Sequence, residues 1–205
     1  MRITQEAKQE SRRKILEAAQ SLFQSKGYQQ ATTRDIAREA GIATGTLFNY
    51  FPTKEAIVMT LVSEALTRAQ EDFEQQQLDQ TAPLEEKLFA QIATGLRRMK
   101  PYRNYIKPLF ETALSPLVKS SSDEASEMIR VNHLETVDQL VRSHGIANGP
   151  SAVAMHLYWT LYTGVLAFWS NDRSPKQEDT LALLDQSLRM FVGWLTSEKP
   201  GPQLD

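Results

Sequence analysis

Apolar residues return every three or four positions along almost the whole of this 205-residue chain. No stretch alternates apolar and polar side chains as a half-buried strand does. That periodicity predicts an all-α fold of about nine helices. The first is read over about Glu10 to Lys26, with Ile15, Ala18, Ala19, Leu22 and Phe23 on one face, and Gly27 placed to end it. A short second helix starts at Thr32 or Thr33, whose hydroxyls can cap free amides, buries Ile36, Ala37 and Ala40, and stops at Gly41. The third begins near Thr44 and ends before Pro52, with Leu47, Tyr50 and Phe51 on its apolar side.

Thr53 caps a long fourth helix through Ile57, Leu61, Ala65, Ala69 and Phe73, closed by the Gln-rich stretch 75–80. Pro83 suits the first turn of a fifth, which carries Leu84, Leu88, Ile92, Leu96 and Met99. Pro101 opens a sixth that runs through Leu117, and Pro108 inside it should kink it. Ser121 and Glu124 form a capping-box pattern for a seventh through about Ser143. An eighth follows Pro150, and Ser174, Pro175 and Gln177 read as cap, first-turn proline and reciprocal glutamine of the ninth. The tail from Glu198 reads as unstructured.

Charge divides the chain. Residues 1–54 carry net +4 and the remainder net −6. A basic head on an acidic body suits a polyanionic partner at the head, although so small an imbalance also arises by chance. There is no cysteine, which excludes disulfides, cysteine-ligated metals and a thiol nucleophile. Met1 to Glu10 is polar and is no secretory signal. Ser151 to Asn171 lacks charged residues, yet His156, Tyr158, Thr160, Tyr162 and Thr163 make it a buried helix rather than a membrane span. A soluble, cytoplasmic protein is expected. His133, His144 and His156 fit no metal spacing, and no glycine-rich phosphate loop follows a strand. The expectation is therefore no enzyme, no metal and no cofactor.

Two short helices joined by a tight turn at Gly41 make a helix-turn-helix, in which the first braces the second so that it can enter a major groove. Leu47, Tyr50 and Phe51 supply the buried face of the second, while Thr44, Gly45, Thr46 and Asn49 supply a small, polar presented face. The run Thr32-Thr33-Arg34-Asp35-Ile36-Ala37-Arg38-Glu39-Ala40-Gly41, then Gly45-Thr46-Leu47-Phe48-Asn49-Tyr50-Phe51 and Lys54-Glu55, resembles the TetR family of repressors. So does the helix Ile15-Leu16-Glu17-Ala18-Ala19 with Leu22-Phe23, closed by Gly27-Tyr28. The resemblance covers about residues 10–60 closely and rests on helix number and length beyond.

It implies a homodimer binding a palindromic double-stranded operator, released when a ligand in the C-terminal domain moves the fourth helix. Residue by residue it implies phosphate contacts from Thr33, Tyr50 and Lys54, and a groove-facing set of Thr44, Gly45, Thr46 and Asn49. Physics agrees, since a helix N-terminus attracts phosphate and Asn can read adenine bidentately. Ala43-Thr44 and Phe48 depart from the family pattern, which there has a Ser-Lys or Ser-Arg pair and a tyrosine. The expected domains are 1–54 for DNA, 55–198 for ligand binding and dimerisation, and a flexible tail at 199–205.

Met99, Tyr102, Tyr105, Phe110, Met128, His133, His156, Trp159, Tyr162 and Trp169, with Met155 and Phe168, are the candidate lining of an effector pocket. For any one of them core packing is the plainer reading. Leu181, Leu184, Leu188, Phe191 and Leu195 alternate three and four apart and are the candidate dimer seam. Two alternatives stay open: a DNA-binding protein with a filled core and no effector, and a helical lipid carrier or enzyme that does not bind DNA.

Overall fold

A computed structural model describes residues 5–76, 78–79, 81–105, 124–146 and 148–197. Among them there is helix and no strand. Eight α-helices follow one another: α1 (Gln5–Lys26), α2 (Thr33–Glu39), α3 (Thr44–Tyr50), α4 (Lys54–Gln75), α5 (Leu84–Met99), α6 (Glu124–Ser143), α7 (Ala152–Asn171) and α8 (Glu178–Ser197). A 3-10 turn, Lys100–Tyr102, follows α5, and helical residues resume at Arg103. The rest of the sixth helix read from sequence, with Pro108, Phe110 and Ser121, lies outside the described residues. So does the tail at 199–205.

The chain forms two compact units, Met1–Ala65 with Met99–Ser126, and Leu66–Arg98 with Glu127–Asp205. The division between the units falls inside α4, whose Ile57, Val58, Leu61 and Val62, in the first unit, are buried. In that unit α1 packs on α2 and α2 on α3. Ile15, Ala19, Phe23, Ile36 and Leu47 are almost completely excluded from water.

Local chemistry explains the boundaries. Gly27 takes φ +82° and its amide donates to Phe23 O, closing α1. Thr32 caps α2 with a reciprocal box: its hydroxyl accepts from the Asp35 amide, and the Asp35 carboxylate accepts from the Thr32 amide. Gly41, at φ +69°, makes the turn into α3. Thr53 Oγ1 accepts from the Ala56 amide at 3.0 Å and opens α4. The α1 helix starts at Gln5 rather than Glu10, its first turns being polar and braced by Arg13 to Glu10 and Glu17.

The second unit is built on α7 against α8. Their junction departs from the sequence expectation. Pro175–Gln177 is a 3-10 turn with Lys176 and Gln177 both at positive φ, and α8 begins only at Glu178. Ser174 Oγ accepts from the Asp179 amide, and buried Asp172 accepts from the amide and hydroxyl of Thr180. Those bonds, the Thr180 hydroxyl first, hold the Asp172 carboxyl well below the ordinary carboxylate range. No helix among the described residues is long and apolar enough to cross a membrane.

Candidate nucleic-acid interface and effector site

Leu47 is fully buried and anchors α3 to the core, while Gly45 and Asn49 are exposed and Thr44 and Thr46 half-buried. A side-chain carbon added at Gly45 would meet nothing within 4 Å. The outer face of α3 is thus open and, from Thr44 to Tyr50, uncharged. Thr33 and Tyr50 are half-buried at the first residue of α2 and the last of α3.

Lys54 is held where sequence alone does not place it. Its ammonium donates to Tyr28 O at 2.8 Å and Ala31 O at 3.2 Å and lies 4.1 Å from the centre of the Tyr28 ring. The Tyr28 hydroxyl donates to Glu55 Oε1 at 2.8 Å. Burial, then the neighbouring carboxylate, raises the Tyr28 hydroxyl well above the ordinary phenol value. The N-terminus of α4 is in this way tied to the connection between α1 and α2. Two cations near α2 are also engaged: Arg38 and Lys26 both lie against Asp35, at 2.7 and 3.9 Å.

The candidate effector residues divide. Tyr105 belongs to the N-terminal unit, where its ring packs 5.4 Å from Phe23 and 6.1 Å from Tyr28; Met99 and Tyr102 are buried in the same unit. In the C-terminal unit, His133 of α6 stacks 4.1 Å from Tyr162, and its Nε2 lies 2.9 Å from the Tyr158 hydroxyl. Trp159 edges onto His133 at 6.2 Å, with the Arg130 guanidinium 5.4 Å from the Trp159 ring. Burial pulls the His133 imidazole down to about 4, so it is neutral at ordinary pH. Trp169 is fully buried, whereas Met128, His156 and Phe168 are exposed.

Of the seam residues read on α8, Leu184, Leu188, Phe191 and Leu195 are buried within the chain, with Phe191 5.4 Å from Tyr158 of α7. Leu181 is exposed at the edge. The other large apolar residues exposed on α7 and α8 are Val153, Leu157, Phe168, Leu183 and Met190.

Residues 15–60 match the family described as bacterial regulatory proteins, tetR family. Residues 87–201, more than half the chain, match the tetracyclin repressor-like C-terminal domain. The chain belongs to the TetR family. The repressor KstR of Mycobacterium tuberculosis is 25% identical over 193 residues, 92% of this chain and 83% of KstR. EthR of Mycolicibacterium smegmatis is 37% identical over 60 residues, 29% of this chain and 28% of EthR. The structure of Thermus thermophilus FadR, a TetR-family repressor in complex with lauroyl-CoA, superposes with a TM-score of 0.69 at 22% identity, over 93% of this chain and 98% of FadR. Bacillus subtilis FadR with stearoyl-CoA gives 0.54 at 22%, over 88% and 97%.

As a TetR-family member the protein is a helix-turn-helix transcriptional regulator and not an enzyme. In this TetR-family chain the sequence does not reveal the Tyr28–Lys54–Glu55 tie, which joins residues 26 and 27 positions apart, beyond any local pattern. Phe48, which departs from the family pattern in sequence, is 46% exposed on the outer face of α3.

Proposed function

We propose that this regulator is a ligand-responsive repressor that binds a palindromic operator as a homodimer and leaves it when a small apolar molecule occupies the C-terminal unit. The observation that carries the reading is a family-matched helix-turn-helix whose α3 is anchored by Leu47 and presents an open, uncharged face. Thr44, Gly45, Thr46 and Asn49 meet base edges, and Thr33, Tyr50 and Lys54 meet phosphates. The outward apolar residues Phe168, Leu183 and Met190, with Val153 and Leu157, form the dimer surface. Two heads then read half-sites about 34–36 Å apart, or a multiple of that.

Fatty acyl-CoA thioesters, in which an apolar acyl chain is carried on an anionic coenzyme A, are the effector class to test first, supported by the lauroyl-CoA and stearoyl-CoA complexes of the two FadR relatives. In the chain itself, the group of His133, Tyr158, Trp159 and Tyr162 supports an apolar ligand met by a few polar atoms. Release requires that the effector bind the DNA-free conformation more tightly, so operator DNA must weaken effector binding by the same factor.

A second reading is a regulator without an effector; among the described residues, the cavity lined by Ile92, Tyr158, Tyr162, Leu184, Leu188 and Phe191 holds about 10 Å³, room for a single water. Both readings meet one experiment. Duplexes are selected from a random library on the purified protein, and affinity for the enriched site is measured with and without lauroyl-CoA. Release by lauroyl-CoA, with a change in tryptophan fluorescence, supports gating. Unchanged affinity across an acyl-CoA chain-length series supports the ungated reading, and enrichment of no sequence overturns DNA recognition.

A further inference from the structure

Among the described residues of the N-terminal unit, Phe48 is the single large apolar side chain exposed to water, at 46%. Its neighbour Leu47 is fully buried, so one step of about 100° round the helix separates the core side from the solvent side. Residues three and four apart share a helix face. Phe48 therefore stands beside Thr44 and Gly45, and Gly45 beside Asn49, in one outward stripe. Gly45 has open space where a side chain would begin, which leaves the Phe48 ring as the bulky feature of that stripe.

The chemistry of the stripe is as telling as its shape. From Thr44 to Tyr50 there is no charged residue, so α3 holds no arginine or lysine for the bidentate contact to guanine. Of the cations on the neighbouring helices, Arg38 of α2 and Lys26 of α1 lie against Asp35 and Lys54 of α4 donates to two carbonyl oxygens, while Arg34 of α2 is exposed. A phenyl ring has no donor for a phosphate. Placed against the polar edge of guanine or cytosine it would leave base donors or acceptors unpaired, which is costly. The one apolar group that base pairs show in the major groove is the 5-methyl of thymine.

We propose that Phe48 is a specificity-determining residue and reads a thymine methyl group in each half-site. The inference rests on the DNA-binding reading above and adds a base and an atom to it. Operators of this regulator then carry a thymine that is fixed for its methyl group, next to the base pair met by Asn49.

The test uses the full-length protein and the duplex it enriches from a random library. Each thymine of the half-site is replaced in turn by deoxyuridine, which deletes the methyl and keeps the pairing. One position should weaken binding about fourfold per half-site, the value of one buried methyl-sized group. Phe48→Ala should remove that penalty, and Phe48→Leu, which keeps an apolar side chain, should retain part of it. Because Phe48 is exposed, both variants should keep wild-type helix content and melting temperature. An enriched site that binds equally well with deoxyuridine everywhere would overturn the proposal while leaving DNA recognition standing. A deoxyuridine penalty unchanged in Phe48→Ala would overturn it too, assigning the methyl to another side chain such as Thr46. If no sequence is enriched, the DNA-binding reading fails first and this inference with it.

Discussion

Lys54 shows how one residue can answer to two demands. An ammonium has three donors, and here two go to the carbonyls of Tyr28 and Ala31 while the charge rests against the Tyr28 ring. The third is the donor left for the proposed phosphate contact. Lys54→Met should therefore do more than a surface charge removal. Affinity for all DNA sequences should fall about equally, the salt dependence should lose about one unit of slope per protomer, and the chain should also melt at lower temperature. Salt titrations of binding beside thermal melts separate the two effects. Asn49 is different, since its exposed amide is free of packing duties in α3. Asn49→Ala should leave the melt unchanged and relax preference at one base pair per half-site, at a cost of about 1–3 kcal/mol. An unaltered selected sequence would remove Asn49 from the base-reading set.

His133 is the third residue with a consequence of its own. Its folded pKa of about 4 lies below the value near 6.5 of an unfolded histidine, so the unfolded chain takes up the proton first. Its contribution to stability is complete above about pH 6.5 and is lost as pH falls from there toward 4, by at most about 1.4 kcal/mol per pH unit. Urea unfolding of wild type and His133→Gln at pH 7 and pH 5 checks this. The wild type should lose more stability between the two pH values than the variant, and parallel losses would show that His133 does not set the slope.

At the scale of elements, helix starts and stops were readable where they depend on neighbours in sequence. Thr32 with Asp35, Thr53, Gly27 and Gly41 act within four residues, and each holds in the structure. The start of α8 depends on Asp172 reaching eight residues forward to Thr180, across two residues in the left-handed region. A Ser-Pro-x-Gln pattern at 174–177 hides that geometry, because proline and serine fit a 3-10 turn as well as a first α-turn. Thr180→Val keeps the shape and deletes the hydroxyl that donates to Asp172 inside the core. It should cost about 1–3 kcal/mol in urea unfolding, whereas Thr180→Ser should cost less. Equal losses would mean that the methyl, not the hydroxyl, matters there.

At the scale of the whole molecule the apolar faces of α7 and α8 matter most. Leu184, Leu188, Phe191 and Leu195 hold the subunit together from inside, and Val153, Leu157, Phe168, Leu183 and Met190 remain on the outside. Charge placed at the two sets should therefore act differently. Leu188→Glu should unfold the C-terminal unit, since a buried unpaired carboxylate is among the costliest substitutions. Met190→Glu and Phe168→Glu should leave helix content intact, turn a dimer into a monomer by light scattering, and abolish operator binding. A dimer that survives both outward substitutions would place the interface elsewhere.

The sequence by itself determined that the chain is helical, where most helices begin and end, and which short pair makes the helix-turn-helix. Periodicity, caps and glycines are local, and a local pattern needs no knowledge of the fold to be read. Only the tertiary structure decided which apolar row is core. Around α8, Leu181, Leu183, Leu184, Leu188, Met190 and Phe191 cover more than one face, and a helical period cannot say which of them meets α7. The aromatic residues read as one group were likewise divided by packing, Tyr105 to Phe23 and Tyr28, His133 to Tyr158 and Tyr162. The physical reason is common to both. Burial is a property of what lies opposite a side chain, and what lies opposite is far away in sequence.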